Sequence, residues 1–505
     1  MNDDPRWRDV LIAVDVGTSG ARAAAFDLDG VRRVEVRHSY PTASPRVGWA
    51  EQDARAWRTA SLGALTALLA RIGNRRHVHG IGLTGQCPSV VLVDRRGRPC
   101  GPGLIYRDNR ATAEAGEMLA RFGAAWLHQR TGHLAAAFHI APKLLWLRRH
   151  QPDAWGAAWI ALQPRDWLAY VLTGELVTDP SHATATLLYD LRKRRWDPEI
   201  LSALDFPASL FPSVIGSDAV VGRLRRDVAG RIGLPATTPV VIGGADSQAC
   251  ALGAGVVATG PVSEMSGSST CLNAVTQRPL EVLEVTHYPH VIGTGYTTET
   301  GINTTGAAIG WLADLLYGGR RGRASKEAFA QLDRDVAAAP VGSGGVIAIP
   351  ALADGERTDP TLRGAFAGLS LRNDRATLAR ALLEGVAYTI RDQLSLLTNA
   401  GLHPTELRVS GGNTRLGSWN RIKADVSGLP VRVVPDDAAV AGVAMLAGLG
   451  VSIYRDVNDA IARCVRLSPV IDPDPTAADW YDEGFKAFRV LQASDAVRER
   501  GPESP

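Results

Sequence analysis

The segment Val10 to Asp27, VLIAVDVGTSGARAAAFD, constrains the fold more than any other stretch of the chain. An apolar run, Val10 to Val14, ends on a carboxylate, Asp15. Gly17, Thr18, Ser19 and Gly20 follow, then Arg22 and a second apolar run, Ala23 to Phe26, closed by Asp27. Two β-rich runs joined by a glycine-containing turn predict a hairpin. The turn offers backbone N–H groups, two hydroxyls and a guanidinium. These suit a phosphate, and Asp15 suits the Mg²⁺ that accompanies one. The plain alternative is an ordinary hairpin turn with a surface aspartate. A Walker loop is excluded, because the chain has no G-x-x-x-x-G-K-[ST] and the residues after the glycines are strand-like.

At 505 residues the chain exceeds the roughly 250–300 at which single cores stop growing, so two domains are expected. A hydrophobic fraction of 45% with 21% charged residues fits a globular enzyme and excludes disorder. A net charge of +3 gives no nucleic-acid or acidic-membrane footprint. Cys87, Cys100, Cys250, Cys271 and Cys464 are scattered and form no C-x-x-C, so neither a disulfide framework nor a zinc site is suggested. The polar start, MNDDPRWRD, lacks a signal-peptide core, and a cytoplasmic location is the default.

Strand-like and helical stretches alternate along the chain, which predicts an α/β protein. Strands are expected at Val10–Val14, Ala23–Phe26, Val78–Leu83 and Val90–Val93, and helices at Pro142–Arg149 and Arg165–Leu172. A second start follows Pro239: a buried strand, a Gly-Gly turn carrying Asp246, then a small-residue helix. GPVSEMSGSSTCLNAV then repeats the shape of the opening hairpin, with Gly267, Ser268, Ser269 and Thr270 at its turn. Leu378, Leu382, Val386, Ile390, Leu394 and Leu397 recur at helical spacing within Arg375–Leu397. Leu407–Ser410 reads as a strand running into Gly411-Gly412-Asn413, and helices are expected at Trp419–Val426 and Ala438–Leu449. The basic stretch Gly318–Ser325 reads as a solvated loop, and the chain after Ala493 as a frayed end.

Together these segments resemble the FGGY family of carbohydrate kinases over roughly Leu11 to Gly450. DVGTSGARAAAFD is similar to the family's first phosphate motif, and WAEQD (Trp49–Asp53) to its W-x-E-Q stretch. GLTGQ (Gly82–Gln86) and IYRDNR (Ile105–Arg110) resemble its sugar-side segments. The block beginning RDWLAYVLTGELVTDPSH resembles a long N-domain segment. GGADSQACALGAG resembles the segment carrying the catalytic aspartate, SGSST the second phosphate motif and SGGNTRLGSWN the adenosine motif. The stretches GERTDPTLRG and LLEGVAY point to the xylulokinase-like branch.

The resemblance implies an α/β, two-domain actin-like (ribonuclease H-like) ATPase fold with a catalytic cleft between its domains. Residues 8–243 would carry the sugar site and first phosphate loop, residues 244–485 the nucleotide, and residues 486–505 a polar tail. Asp246 is implied as the base that accepts the sugar hydroxyl proton. A helix N-cap is its plain alternative. Asp15, with Asp246, would hold Mg²⁺. Thr18, Ser19 and the loop N–H groups would surround the transferring phosphate of ATP, with Arg22 supporting the loop or the charge. Gly267 and Ser268 would bind nucleotide phosphates, Ser268 standing where the family usually has Thr. Gly306, Gly411, Gly412 and Asn413 would line the nucleotide.

On the substrate side, Gln86, Cys87, Asp108, Arg110 and Phe138 are the implied contacts. Xylulokinases tend to carry Met-His after the Gln86 position and glycerol kinases Arg-Glu, whereas here the pair is Cys87-Pro88. Phe138 stands where glycerol kinases place a Tyr. Losing those polar groups disfavours glycerol. A ketopentose such as xylulose is the leading acceptor, with erythritol, ribulose or arabinitol types as alternatives. Cys87 reads as a wall residue and not a nucleophile. GERTDPTLRG is shorter than the family's usual stretch. A ribokinase-type kinase fails for want of the D-x-G-T hairpin. A regulatory actin-like ATPase is the alternative from another class, disfavoured by the TGQ and YRDNR segments. The expected partners are a small sugar or polyol and ATP, with neither nucleic acid nor membrane, and with a homodimer left open.

Overall fold

The computed structural model describes residues 8–73, 78–293, 295–318, 325–353, 355–356, 359–435 and 437–499. The chain divides into two compact units. The first comprises residues 1–257, 275–298 and 437–465, and the second residues 258–274, 299–436 and 466–505.

The first unit is built on a mixed sheet. Its strands are β1 (Val10–Val16), β2 (Gly20–Asp27), β3 (Arg32–Ser39), β4 (Val78–Gly85), β5 (Val220–Arg223) and β6 (Pro239–Val241), in the order β5-β6-β4-β1-β2-β3. The opening segment forms the expected antiparallel hairpin, with Val10 opposite Asp27 and Asp15 opposite Arg22. β4 and β6 continue the sheet in parallel with β1. The run Val10–Val14 is buried throughout because both faces of a sheet centre are covered. Helix α1 (Ala54–Ile72) lies against it and buries Trp57, Leu65, Leu68 and Leu69. Two further helices, α2 (Ile140–His150) and α3 (Pro164–Thr173), correspond to the expected ones.

Five neighbouring strands of the second sheet repeat this order. They are β7 (Pro261–Ser266), β8 (Thr270–Thr276), β9 (Tyr296–Ile302), β10 (Glu406–Ser410) and β11 (Val431–Val433), arranged β9-β8-β7-β10-β11. β7 and β8 form a hairpin with Ser266 opposite Thr270, and β7, β10 and β11 run parallel. Each sheet therefore sets a phosphate-type hairpin beside two parallel crossover strands.

Two expectations are corrected. The break placed at residues 243–244 is displaced, and the chain returns to the first unit late. Helix α4 (Asp246–Gly253) packs there on α8, counting α5 (Gly306–Tyr317), α6 (Arg375–Asn399) and α7 (Gly417–Ser427) of the second unit before α8 (Ala438–Gly450). The reason is close backbone approach. A Cβ on Gly253 would lie 1.9 Å from the Ala438 carbonyl oxygen, and one on Gly442 1.9 Å from that of Ala249. The polar tail expected from residue 486 is also shorter. Helix α9 (Ala478–Ala493) buries Phe488, and the segment beyond is docked within its unit. The Arg363 N–H donates to Val497 O at 2.7 Å, and the Glu499 N–H to Thr361 O at 2.8 Å. Of the basic stretch 318–325, residues 319–324 lie outside the described residues.

Candidate active site

In the first unit the carboxyl ends of β1, β4 and β6 lie side by side. Asp15 stands in register with Thr84, two residues before Gln86, while β6 runs into Gly243-Gly244-Ala245-Asp246. Ligands of open α/β sheets bind at this edge. The hairpin turn directs its carbonyls into the protein. Gly17 O accepts from the Tyr40 hydroxyl, Thr18 O from Gln52 Nε2 at 2.7 Å, Ser19 O from the Tyr40 N–H at 3.4 Å and Gly20 O from the Gly17 N–H at 3.1 Å. With these carbonyls occupied and the Gly17 N–H spent on Gly20 O, what the turn could offer an anion is the Thr18 and Ser19 N–H groups and hydroxyls.

Arg22, expected to support the loop or the charge, is engaged by carboxylates. It is buried, donates through Nη2 to Asp15 at 3.0 Å and through Nη1 to Asp437, the residue capping α8. Arg22 therefore orders two carboxylates, and its charge is held by them. Burial raises the Asp15 pKa, against the lowering effect of Arg22.

Asp246 is the first residue of α4, half-buried, with its Oδ1 accepting the Ser247 N–H at 2.9 Å. Ala245, and not Asp246, occupies the N-cap position. The turn that presents Asp246 is held at each of its four preceding residues. Arg165 Nη1 donates to Ile242 O at 2.7 Å and Gly243 O at 3.0 Å. Thr84 Oγ1 donates to Gly244 O at 2.7 Å, and the Ala245 N–H donates to Ser181 Oγ at 2.9 Å. Gly243 has φ +71°, and a Cβ there would lie 1.7 Å from Leu83 O, so only glycine fits. Behind the turn, Asp179 accepts from Arg165 Nη2 at 2.7 Å, Ser181 Oγ at 2.6 Å and Ser217 Oγ at 2.8 Å. Arg165, the paired His182 and the hydroxyls hold its carboxyl well below the usual carboxylate range despite burial.

The sugar-side residues are more enclosed than expected. Gln86 is buried and donates through Nε2 to Gln52 Oε1 at 2.8 Å, which also accepts from Trp57 Nε1 at 2.8 Å. This links Gln86 to the Thr18 carbonyl through one amide. Asp108 is fully buried. It accepts from the Ala50 N–H at 2.6 Å and from Arg110 Nη2 at 2.7 Å. Arg110 also pairs with Glu51 at 2.7 Å and lies 3.7 Å above the Trp49 ring. The pair braces the W-x-E-Q stretch, through the Ala50 N–H and the Glu51 carboxylate. Phe138 is half-buried beside His139, with ring centroids 4.2 Å apart and the planes tilted by 31°. Cys87 is half-buried, and burial together with the Asp246 charge pushes its thiol well up, which disfavours the nucleophilic thiolate.

In the second unit, the glycine-rich residues expected around the nucleotide come together. Asn413 Nδ2 donates to Gly267 O at 3.0 Å. The Thr305 N–H donates to Ser268 O at 3.0 Å and the Gly306 N–H to Gly267 O at 3.2 Å. A Cβ on Gly306 would lie 2.1 Å from Asn413 Nδ2 and 2.2 Å from Gly267 O. Gly411 and Gly412 connect β10 to the short helix that carries Asn413. From the GERTDP stretch, Glu356 accepts the Asn303 N–H at 2.6 Å, while residues 357 and 358 lie outside the described ones.

The chain matches the N-terminal domain of the FGGY family of carbohydrate kinases over residues 10–253 and the C-terminal domain over residues 263–451. It belongs to this family. A xylulose kinase of Escherichia coli strain K12 is 30% identical over 489 residues, covering 95% of this chain and 98% of that protein. An autoinducer-2 kinase of an Escherichia coli strain is 31% identical over 502 residues, covering 95% of this chain and 93% of that one. The crystal structure of xylulose kinase from Rhodospirillum rubrum matches with a TM-score of 0.88 at 30% identity, over 96% of this chain and 98% of that chain. The protein is thus an ATP-dependent sugar kinase with the two-domain fold of actin-like ATPases.

Sequence reasoning missed Thr84, Arg165, Asp179 and Ser181, the side chains that hold the Asp246 turn. The block RDWLAYVLTGELVTDPSH contains three of them, and its resemblance to the family's N-domain segment was the available signal.

Proposed function

We propose that this kinase transfers the γ-phosphate of ATP to a hydroxyl of a small ketose, with xylulose the leading acceptor. The observation that carries the reading is the Asp246 turn, anchored at Ile242, Gly243, Gly244 and Ala245. Such anchoring suits a general base, whose efficiency depends on its placement against the hydroxyl it deprotonates. In this reading Asp246 accepts the hydroxyl proton as the new P–O bond forms, and ADP leaves.

Thr18, Ser19 and the hairpin N–H groups surround the transferring phosphate. Gly267, Ser268, Gly306, Gly411, Gly412 and Asn413 hold the nucleotide. Magnesium in ATP sites takes one or two carboxylates and completes its shell with phosphate and water oxygens. The donor set fits: the Asp15 carboxylate faces the turn, its oxygens 3.5 and 3.7 Å from where a Gly17 Cβ would be. Among the described residues no larger metal-binding group of His, Cys, Asp and Glu occurs. Asp15, with Asp246, would hold the ion, which would neutralise phosphate charge.

Cys87-Pro88 and Phe138 offer an acceptor fewer polar partners than a glycerol site needs, which supports a ketose over glycerol. A cytoplasmic location is part of this reading, as the compartment that supplies ATP. Among the described residues no helix is long and apolar enough to cross a membrane. The test is a coupled ADP-release screen over pentuloses, hexuloses, pentitols, tetritols and glycerol. Preference for a pentulose supports the reading, and preference for glycerol or absence of any acceptor overturns it.

A further inference from the structure

Lys143, on α2, is fully buried. Its Nζ donates to Ile105 O at 2.7 Å, Phe138 O at 2.7 Å and Pro88 O at 3.4 Å. These carbonyls come from three separate stretches of the first unit, and each belongs to the sugar side. Pro88 follows Cys87. Ile105 O also accepts the Asp108 N–H at 2.9 Å, which starts the turn to the Asp108–Arg110 pair. Phe138 is itself the third.

Burying an amine is costly, and a chain that only needed to fill this space would place Leu or Met there. Lys423 on α7 shows the usual remedy, a buried carboxylate, Glu264, at 2.6 Å. Lys143 is instead met by three carbonyl dipoles. Two of these segments are already joined, since Val90 and Leu104 exchange backbone hydrogen bonds at 2.9 Å each and the Tyr106 N–H donates to Ser89 Oγ at 3.1 Å; the ammonium ties the Phe138 segment to that pair. Burial lowers its pKa to about 7, partly offset by the Asp108 charge.

We infer that Lys143 is a positioning residue for the acceptor, setting the relative places of the Cys87–Pro88, Ile105–Arg110 and Phe138 segments and so the affinity for the sugar. This rests on the proposed function and on the likeness of the Ile105–Arg110 stretch to the family's sugar-side segment. Lys143 acts through them and touches neither nucleotide nor reacting atoms.

The experiment compares wild type, Lys143→Met and Lys143→Gln by steady-state kinetics with D-xylulose and ATP, or with the acceptor the screen selects. Met keeps the bulk of the stem and removes the donors, and Gln restores two N–H groups. Lys143→Met is expected to raise the sugar KM about tenfold or more, with kcat reduced less than about threefold and the ATP KM within about twofold. Lys143→Gln is expected to lie between. A sugar KM within about twofold of wild type in folded Lys143→Met overturns the inference, as does an equal loss in kcat and ATP KM. Failure of both variants to fold makes Lys143 structural and overturns it too. A wild-type enzyme with no acceptor overturns the proposed function, and this inference with it, before any variant is read.

Discussion

Ser181 Oγ accepts the Ala245 N–H at 2.9 Å, one residue before Asp246, while donating its own proton to Asp179 at 2.6 Å. The hydroxyl therefore joins a buried carboxylate to the backbone of the proposed base. Ser181→Ala removes this link and leaves the other three holds on the turn. The expected result is a kcat lowered about tenfold with little change in either KM, since misplacement of a base weakens the chemical step more than binding. Steady-state kinetics at saturating ATP and sugar checks it, and an unaltered kcat would remove Ser181 from the positioning apparatus.

Gly306 is one place where the second unit admits no side chain. Gly306→Ala would force its Cβ against Asn413 Nδ2 and Gly267 O, at 2.1 and 2.2 Å. Either the loop or the amide must shift. The ATP KM is expected to rise about tenfold or more, with the sugar KM little affected. Titration with a fluorescent ATP analogue gives the same comparison without turnover.

His287 gives a pH signature in stability. It is fully buried, beside Leu280 O and Thr298 Oγ1 at 3.0 Å each, and burial with the nearby His128 lowers its pKa to about 3. Unfolded histidine titrates near 6.5, so between about pH 6.5 and pH 3 the unfolded chain binds the extra proton. Stability is thus fully present above about pH 6.5 and is lost as pH falls, by about 2 kcal/mol at pH 5. Urea unfolding at pH 7 and pH 5 should show this loss, and His287→Gln should reduce it. Equal pH dependence in the variant would count against a neutral buried His287.

Much of this was legible in the chain. The opening hairpin announces itself through two apolar runs joined by a glycine turn, and Asp246 through the Gly-Gly turn before it. Asp108 and Arg110 could be picked out as a motif, but their burial could not. It is produced by Ala50, Glu51 and Trp49, and no local pattern reports such contacts. Lys143 reads as one basic residue among several in PKLLWLRR; only the meeting of three distant carbonyls sets it apart. The return of α8 to the first unit was hidden for a related reason. A helix of alanines and glycines can pack closely on many partners, and the reciprocal fit of Gly253 and Gly442 is a property of the pair.

The account turns on Asp246 as the base, and the most direct measurement is sugar-dependent ADP release by Asp246→Asn. The amide keeps the size of the side chain and cannot accept the proton at neutral pH. Turnover is expected to fall by a factor of about 10³, with ATP binding and the unfolding transition close to wild type. Near-normal turnover in a folded Asp246→Asn enzyme would contradict the account.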